Sequence, residues 1–262
     1  MKRKVLLLCA VLFFACSKDE PEVEIQQAYC VPFYISDTYE YPILPGTDEW
    51  EKFNSLEEMV NACQIPQTKL KSISTEGLLE TLLNYPLIND YIFFDNLQRG
   101  FHRVKTENNG FAELYGRKYI FNVITERYKL MSLDCGDIYP PFNVQGEAAP
   151  VGIAFMVFEF FVFQDDFLDK LNKNQQYQIF ELMYKKLQDK QENNNISEYN
   201  KLVTFACLGK IMFKSDFTPF VEICNEVDFM KFFITEIPMY RPENVLPFQI
   251  ITEYAKDFIT SR

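Results

Sequence analysis

From residue 48 onward, apolar residues return every three or four positions along nearly the whole chain. That spacing places them on one face of an α-helix. Ser55 and Glu58 stand at capping-box spacing and open a short helix through Leu56, Met59 and Val60. Leu78, Leu79, Leu82 and Leu83 continue the period until Asn84-Tyr85-Pro86 interrupts it, because a residue before proline is pushed out of the helical region. A further helix is predicted through Leu87, Ile88, Tyr91, Ile92, Leu97, Phe101 and Val104, with a turn at Asn108-Asn109-Gly110. The next runs through Phe111, Leu114, Tyr115, Ile124, Tyr128 and Met131. Residues 134–150, with Pro140, Pro141, Asn143, Gly146 and Pro150, read as the longest irregular loop. The run from Val151 to Phe163 is apolar except for Glu159, too short for a bilayer and apolar all round. It predicts a central core helix continuing through Asp165 and Asp166 to Leu171. An amphipathic stripe follows at Tyr177, Phe180, Met183, Tyr184 and Leu187, then helices from Tyr199 to Phe213, after Pro219, from Glu226 to Thr235 and from Gln249 to Ile259. Nothing alternates strictly enough to demand a sheet. The expected class is all-α, with about ten helices in an irregular bundle or a short stack of antiparallel pairs and no recognisable repeat.

The chain ahead of this domain reads differently. Lys2, Arg3 and Lys4 precede an apolar run from Val5 to Phe14, the order of an export signal, and Ala15-Cys16 resembles the end of a lipobox. Residues 1–15 then read as a signal peptide and Cys16 as the acylated first residue of the mature protein. Lys18-Asp19-Glu20, directly behind that cysteine, resembles the signal that sends Bacteroidota lipoproteins to the outer face of the outer membrane. Residues 16–47 form a lipidated tether and a strap. Tyr29, Phe33, Tyr34, Tyr39 and Tyr41 alternate there with Pro32, Pro42 and Pro45, which block a continuous helix, and Gly46 marks a turn. These aromatics either pack onto the body or present a binding patch. Residues 48–262 are read as a single helical domain.

Charge narrows the partners. Asp and Glu number 37 against 26 Lys and Arg, a net −11 that loss of residues 1–15 takes to −14. That disfavours nucleic acid and an anionic lipid surface, so membrane attachment falls to the acyl chains on Cys16. With Cys16 acylated, Cys30, Cys63, Cys135, Cys207 and Cys224 remain. No two have Cys-x-x-Cys spacing. Cys63, Cys207 and Cys224 sit in helical patterns as small buried apolar groups, and one disulfide is open in an oxidising compartment without a pairing being fixed.

Candidate chemistry is sparse. His102 is the only histidine, which removes His-rich metal sites and most catalytic constellations. Its best thiol partner is Cys135, but Asp134 and Asp137 repel a thiolate there. The same acidic loop offers carboxylates for calcium without an EF-hand pattern. No phosphate loop, dinucleotide fingerprint or nucleophile elbow occurs, so no cofactor is implied. Glu159, lodged among Phe155, Met156, Phe158, Phe160 and Phe161, is the most unusual ionisable position. It reads as an interior carboxylate paired with an Arg or a Tyr hydroxyl, or as a general acid of raised pKa, with Asp165 and Asp166 on another face of the helix. The segment from Ser74-Thr75-Glu76-Gly77 through Tyr85-Pro86-Leu87, with Asp95-Asn96, Gly100-Phe101 and Phe111-Ala112-Glu113-Leu114-Tyr115, resembles a stretch of uncharacterised predicted lipoproteins of Bacteroides-type bacteria over residues 55–120. The resemblance implies no activity. Two functions are expected from the whole: a surface lipoprotein whose helical body binds or scaffolds a polypeptide or glycan, or a surface hydrolase using Glu159.

Overall fold

The structure is a computed structural model that describes residues 30, 34–239 and 245–261. Cys16, Lys18, Asp19, Glu20 and Tyr29, together with the signal at 1–15, lie outside the described residues. Thirteen α-helices follow one another: α1 Leu56–Ala62, α2 Gln67–Ser72, α3 Thr75–Leu83, α4 Leu97–Glu107, α5 Asn109–Gly116, α6 Ile120–Leu130, α7 Val151–Phe163, α8 Asp165–Leu168, α9 Lys173–Glu192, α10 Leu202–Lys214, α11 Thr218–Glu226, α12 Asp228–Glu236 and α13 Leu246–Thr260. Short 3-10 turns cover Trp50–Lys52, Ile88–Phe93, Leu133–Ile138 and Tyr199–Lys201. The class is all-α: among the described residues there is no strand, only two isolated bridges, Asn96 with Pro238 and Phe142 with Ala148.

α7 is the axis. Every residue from Ala154 to Phe163 is at most 1% exposed, and its rings reach different neighbours around the helix. Phe160 stacks on Phe101 and touches Tyr91, both at 4.8 Å between centroids; Phe161 meets Phe111 at 5.3 Å; Phe158 stacks on Tyr128 at 5.2 Å. α10, buried from Leu202 to Met212, lies beside it and carries the C-terminal helices through contacts such as Phe205 on Phe248 at 4.4 Å. One hydrophobic cluster runs from Tyr41 to Phe258. Helices from both halves of the chain enclose α7, so the arrangement is an irregular bundle, not a stack of pairs.

Three predicted helices are broken where side chains take over the backbone. The helix expected from Leu87 to Val104 is a 3-10 turn and then α4, separated by extended Phe94 and capped by Asn96, whose Oδ1 accepts the Arg99 N–H at 2.9 Å. The turn folds back onto α4 because Gly100 has no Cβ; one built there would stand 2.4 Å from the Tyr91 carbonyl oxygen. The helix expected from Phe111 to Met131 is α5 and α6. Its break is at Arg117, whose guanidinium donates to the Leu70 and Ile73 carbonyls at the end of α2. Asn109 and Gly110 are helical, not a turn, and Asn108 caps α5. The central helix stops at Gln164 instead of reaching Leu171. Its last carbonyls, orphaned as at any helix end, are taken by side chains: Phe160 O by Gln164 Nε2 at 2.9 Å, Phe161 O by the Tyr115 hydroxyl at 3.1 Å and Phe163 O by Lys210 Nζ at 2.9 Å. The capping box is incomplete at α1, where Ser55 accepts the Glu58 N–H but the Glu58 carboxylate accepts from Asn54; a full one opens α9 at Asn172 and Gln175. No helix among the described residues is long and apolar enough to cross a membrane.

Candidate functional site

Glu159 lies at the centre of the bundle with no exposed side-chain surface. Its Oε1 accepts from the Tyr128 hydroxyl and from Lys190 Nζ at 2.7 Å, and its Oε2 accepts from Thr204 Oγ1 at 2.8 Å. The ammonium of Lys190 also donates to Thr204 Oγ1 at 2.8 Å and to the Asn200 carbonyl at 3.2 Å, so all three of its protons are used. Burial pulls Lys190 below its ordinary value against the attraction of Glu159, and burial with the neighbouring carboxylate pushes the Tyr128 hydroxyl well up. The expected Tyr hydroxyl is present, while the cation is a lysine, not an arginine. Lys190 has a sequence signal of its own: it extends the stripe Phe180, Met183, Leu187 by one further step of three, so a lysine occupies the buried face of α9. This arrangement cross-links α6, α7, α9 and α10 and offers no open face to a substrate.

The open chemistry lies at the strap. Asp37 Oδ2 accepts the Ser74 N–H at 2.6 Å and its Oδ1 the Ser74 hydroxyl at 2.9 Å, while Ser74 Oγ caps α3 by accepting the Gly77 N–H at 2.9 Å. Gly77 is the seat of that carboxylate: a Cβ there would lie 2.2 Å from Asp37 Oδ1. The Ser74 N–H holds Asp37 below its usual carboxylate value. Farther on, the Tyr39 N–H donates to Thr81 Oγ1 at 2.8 Å, and the buried Tyr41 ring packs against Tyr39 and Tyr85. Of the strap aromatics, Tyr41 thus belongs to the core, Tyr39 is half-buried and Tyr34 is 83% exposed.

Facing the strap is a small hairpin at residues 141–149. Asn143 builds it, its Oδ1 accepting the Gln145 and Glu147 N–H groups and its Nδ2 donating to Glu147 at 2.8 Å, with Gly146 at φ 78° completing the reversal. Asn84, at the end of α3, accepts the Phe142 N–H and fixes the hairpin to the body. Strap and hairpin enclose a cleft of about 470 Å³, continuous through Leu44, Asn84, Phe142 and Asn143 with a recess of about 290 Å³. Tyr34 and Phe142 present exposed rings on opposite sides, and Glu40, Glu80 and Glu147 supply carboxylates. Burial raises Glu80 against its ion pair with the equally buried Arg127. No Lys or Arg lines the cleft among the described residues. Sequence reading found Tyr34 but not Phe142 or Asn143, which had only the irregularity of residues 134–150 as a signal.

Cys135 is not a free thiol for His102. It is bonded to Cys30 across a separation of 105 residues, which fixes the start of the strap to the turn at Leu133–Ile138. Cys63, Cys207 and Cys224 are buried and free. Burial pushes the Cys63 thiol up to about 12 and Cys224 up to about 11, and it raises Cys207 further with the help of Glu159. Thiols so raised are inert at neutral pH. Asp134 and Asp137 acquire no third ligand, since no three His, Cys, Asp or Glu side chains converge among the described residues. Asp165 is turned away from Glu159 toward Lys210 at 3.1 Å and Lys214 at 2.9 Å, and Asp166 toward Lys105. Compared with known proteins, the chain matches no family model, no curated protein and no solved structure.

Proposed function

We propose that this chain is an exported, lipid-anchored binding module that takes a neutral glycan in the cleft between strap and hairpin. The observation that carries the reading is the cleft itself, with exposed Tyr34 and Phe142 rings on its two sides, carboxylate, amide and hydroxyl groups along its walls and no Lys or Arg among the described residues that line it. A sugar ring stacks on an aromatic face and donates its hydroxyl hydrogens to such acceptors, whereas an anionic polymer is repelled. Sealing of Glu159 within a satisfied hydrogen-bond network weighs for binding over hydrolysis. The Cys30–Cys135 bond supports export, because disulfides persist in oxidising compartments. With Cys16 acylated, the 14 residues from Cys16 to Cys30 span at most about 50 Å, which keeps the strap end of the molecule close to the membrane.

The test combines anchoring and binding. The parent protein is expected to partition into detergent and to bind a panel of neutral oligosaccharides by calorimetry. Cys16→Ala should lose the partitioning and keep the binding. Tyr34→Ala with Phe142→Ala should keep the partitioning and weaken binding at least about tenfold, the effect of losing roughly 1–2 kcal/mol of ring contact. Absence of any binding across the panel, or binding unchanged in the double variant, would sink the cleft reading; equal partitioning of Cys16→Ala would sink the anchor.

A further inference from the structure

A second cavity, of about 550 Å³, lies away from the cleft and shares no lining residue with it. Its walls come from α4, α10, α12 and the junction of α7 with α8. On α4, Arg99 and His102 stand three residues apart and share a face; on α10, Lys210 and Lys214 stand four apart and do the same. These bases gather in a protein whose net charge is −11. Lys210 and Lys214 share Asp165, Lys214 also pairs with Asp169 at 2.5 Å, and Glu236 accepts from Asn96 Nδ2 at 2.7 Å. Arg99 makes no ion pair with any described residue and is exposed. The charges of Lys210 and Lys214 are met by Asp165 and Asp169, which leaves Arg99 as the lining cation without an ion pair to a described residue. Phe213 and Ile234 add an apolar surface.

The far wall is held in place at a conformational cost. Ile237 follows α12 with φ 48° and ψ 75°, a left-handed conformation that a β-branched residue rarely adopts, and its side chain is fully buried. It is kept there by the chain around it: the Leu97 N–H donates to the Ile237 carbonyl at 3.0 Å and the Met239 N–H to the Asp95 carbonyl at 3.2 Å. Those bonds pin the end of α12, with Glu236, against the start of α4, with Arg99. Strain retained beside a cavity is a mark of a preorganised site.

We infer that this cavity binds a small monocarboxylate with an apolar body, its carboxylate on the Arg99 guanidinium and its body against Phe213 and Ile234. A fixed fork of N–H donors suits a carboxylate, and a cavity of this volume is in the usual range for small ligands. The two acids in the walls disfavour a dianion.

Because His102 is the only histidine of the chain, its imidazole proton resonance in the untagged protein reports on this cavity alone. Titration with phenylpropionate should shift that resonance saturably. Phenylpropanol, which lacks the charge, and inorganic phosphate, which lacks the apolar body, should each bind more weakly. Arg99→Ala removes an exposed side chain that makes no ion pair with a described residue, and should leave the helical circular dichroism unchanged while weakening phenylpropionate about tenfold. The inference is overturned if no saturable shift appears, if the alcohol or phosphate binds as tightly as the acid, or if Arg99→Ala binds like the parent. None of these outcomes bears on the cleft.

Discussion

At the scale of single residues, two positions show opposite uses of an unfavourable feature. Asp216 ends α10 in the left-handed region at φ 56°, with the Phe217 N–H on the Met212 carbonyl and the Asp216 N–H on that of Phe213, the paired bonds of a Schellman cap. Glycine adopts that conformation without strain, and the Asp216 side chain is exposed. Asp216→Gly is therefore expected to stabilise the protein by up to about 1 kcal/mol, a rise of roughly 2–4 °C in Tm by calorimetry, and a lower Tm would refute the account. Glu159 and Lys190 are unfavourable only when separated. Removing one charge leaves the other buried without its partner, so Glu159→Gln or Lys190→Met should each cost about 3–5 kcal/mol in urea unfolding at neutral pH. The double variant has no uncompensated charge and should lose clearly less than the sum of the two single changes. Additive losses would show that the two groups are not coupled.

At the scale of elements, the strap is held by contacts whose chemistry can be switched. Asp37 has a folded-state value below its ordinary 3.8, owing first to the Ser74 N–H. Such a group contributes stability that is fully present above 3.8 and is lost as pH falls through the folded value. Amide exchange at Tyr39, whose N–H rests on Thr81, should therefore accelerate beyond its intrinsic pH dependence only below that range, while amides of α7 stay protected. Gly77→Ala should release the strap at neutral pH by displacing the Asp37 carboxylate, although alanine is the better helix former by about 1 kcal/mol. Exchange at Tyr39 that is insensitive to both changes would mean that Asp37 does not hold the strap. Much of this level was legible in the sequence. The apolar run of α7, the stripe of α9 and Pro219 at the start of α11 depend on neighbours a few residues away. The breaks at Phe94, Arg117 and Gln164 were not, because apolar positions stay in phase across each break when both pieces face the same core. The partners that make the breaks, such as the α2 carbonyls taken by Arg117, are remote in sequence. For the same reason Glu159 was recognisable as unusual, whereas the cleft, assembled from residues about a hundred positions apart, was visible only through its exposed Tyr34.

For the whole molecule, the decisive feature is where the chain is closed on itself. The Cys30–Cys135 bond spans 105 residues and encloses the strap, α1 to α6 and the turn at Leu133–Ile138. Removing it frees the unfolded chain far more than the folded one, since Cys30 is exposed and Cys30→Ser removes little packing. Loop closure over such a length is worth about 4–5 kcal/mol in the chain-entropy description, and measured values run nearer 2–4 kcal/mol. Cys30→Ser and Cys135→Ser should each lower the unfolding free energy by about 2–4 kcal/mol, in equal measure, because either change opens the same loop. A larger loss for Cys135→Ser would assign the excess to packing around that buried residue. A thiol reductant should reproduce the loss in the parent and add nothing in either variant, because Cys63, Cys207 and Cys224 have no disulfide to lose. The folded strap keeps its bonds from Asp37 to Ser74 and from Tyr39 to Thr81, so the reduced protein should remain helical by circular dichroism below its lowered midpoint. If the midpoint in urea is the same with and without reductant, the bond does not stabilise the fold, and its role is confined to tying Cys30 to the turn at Leu133–Ile138.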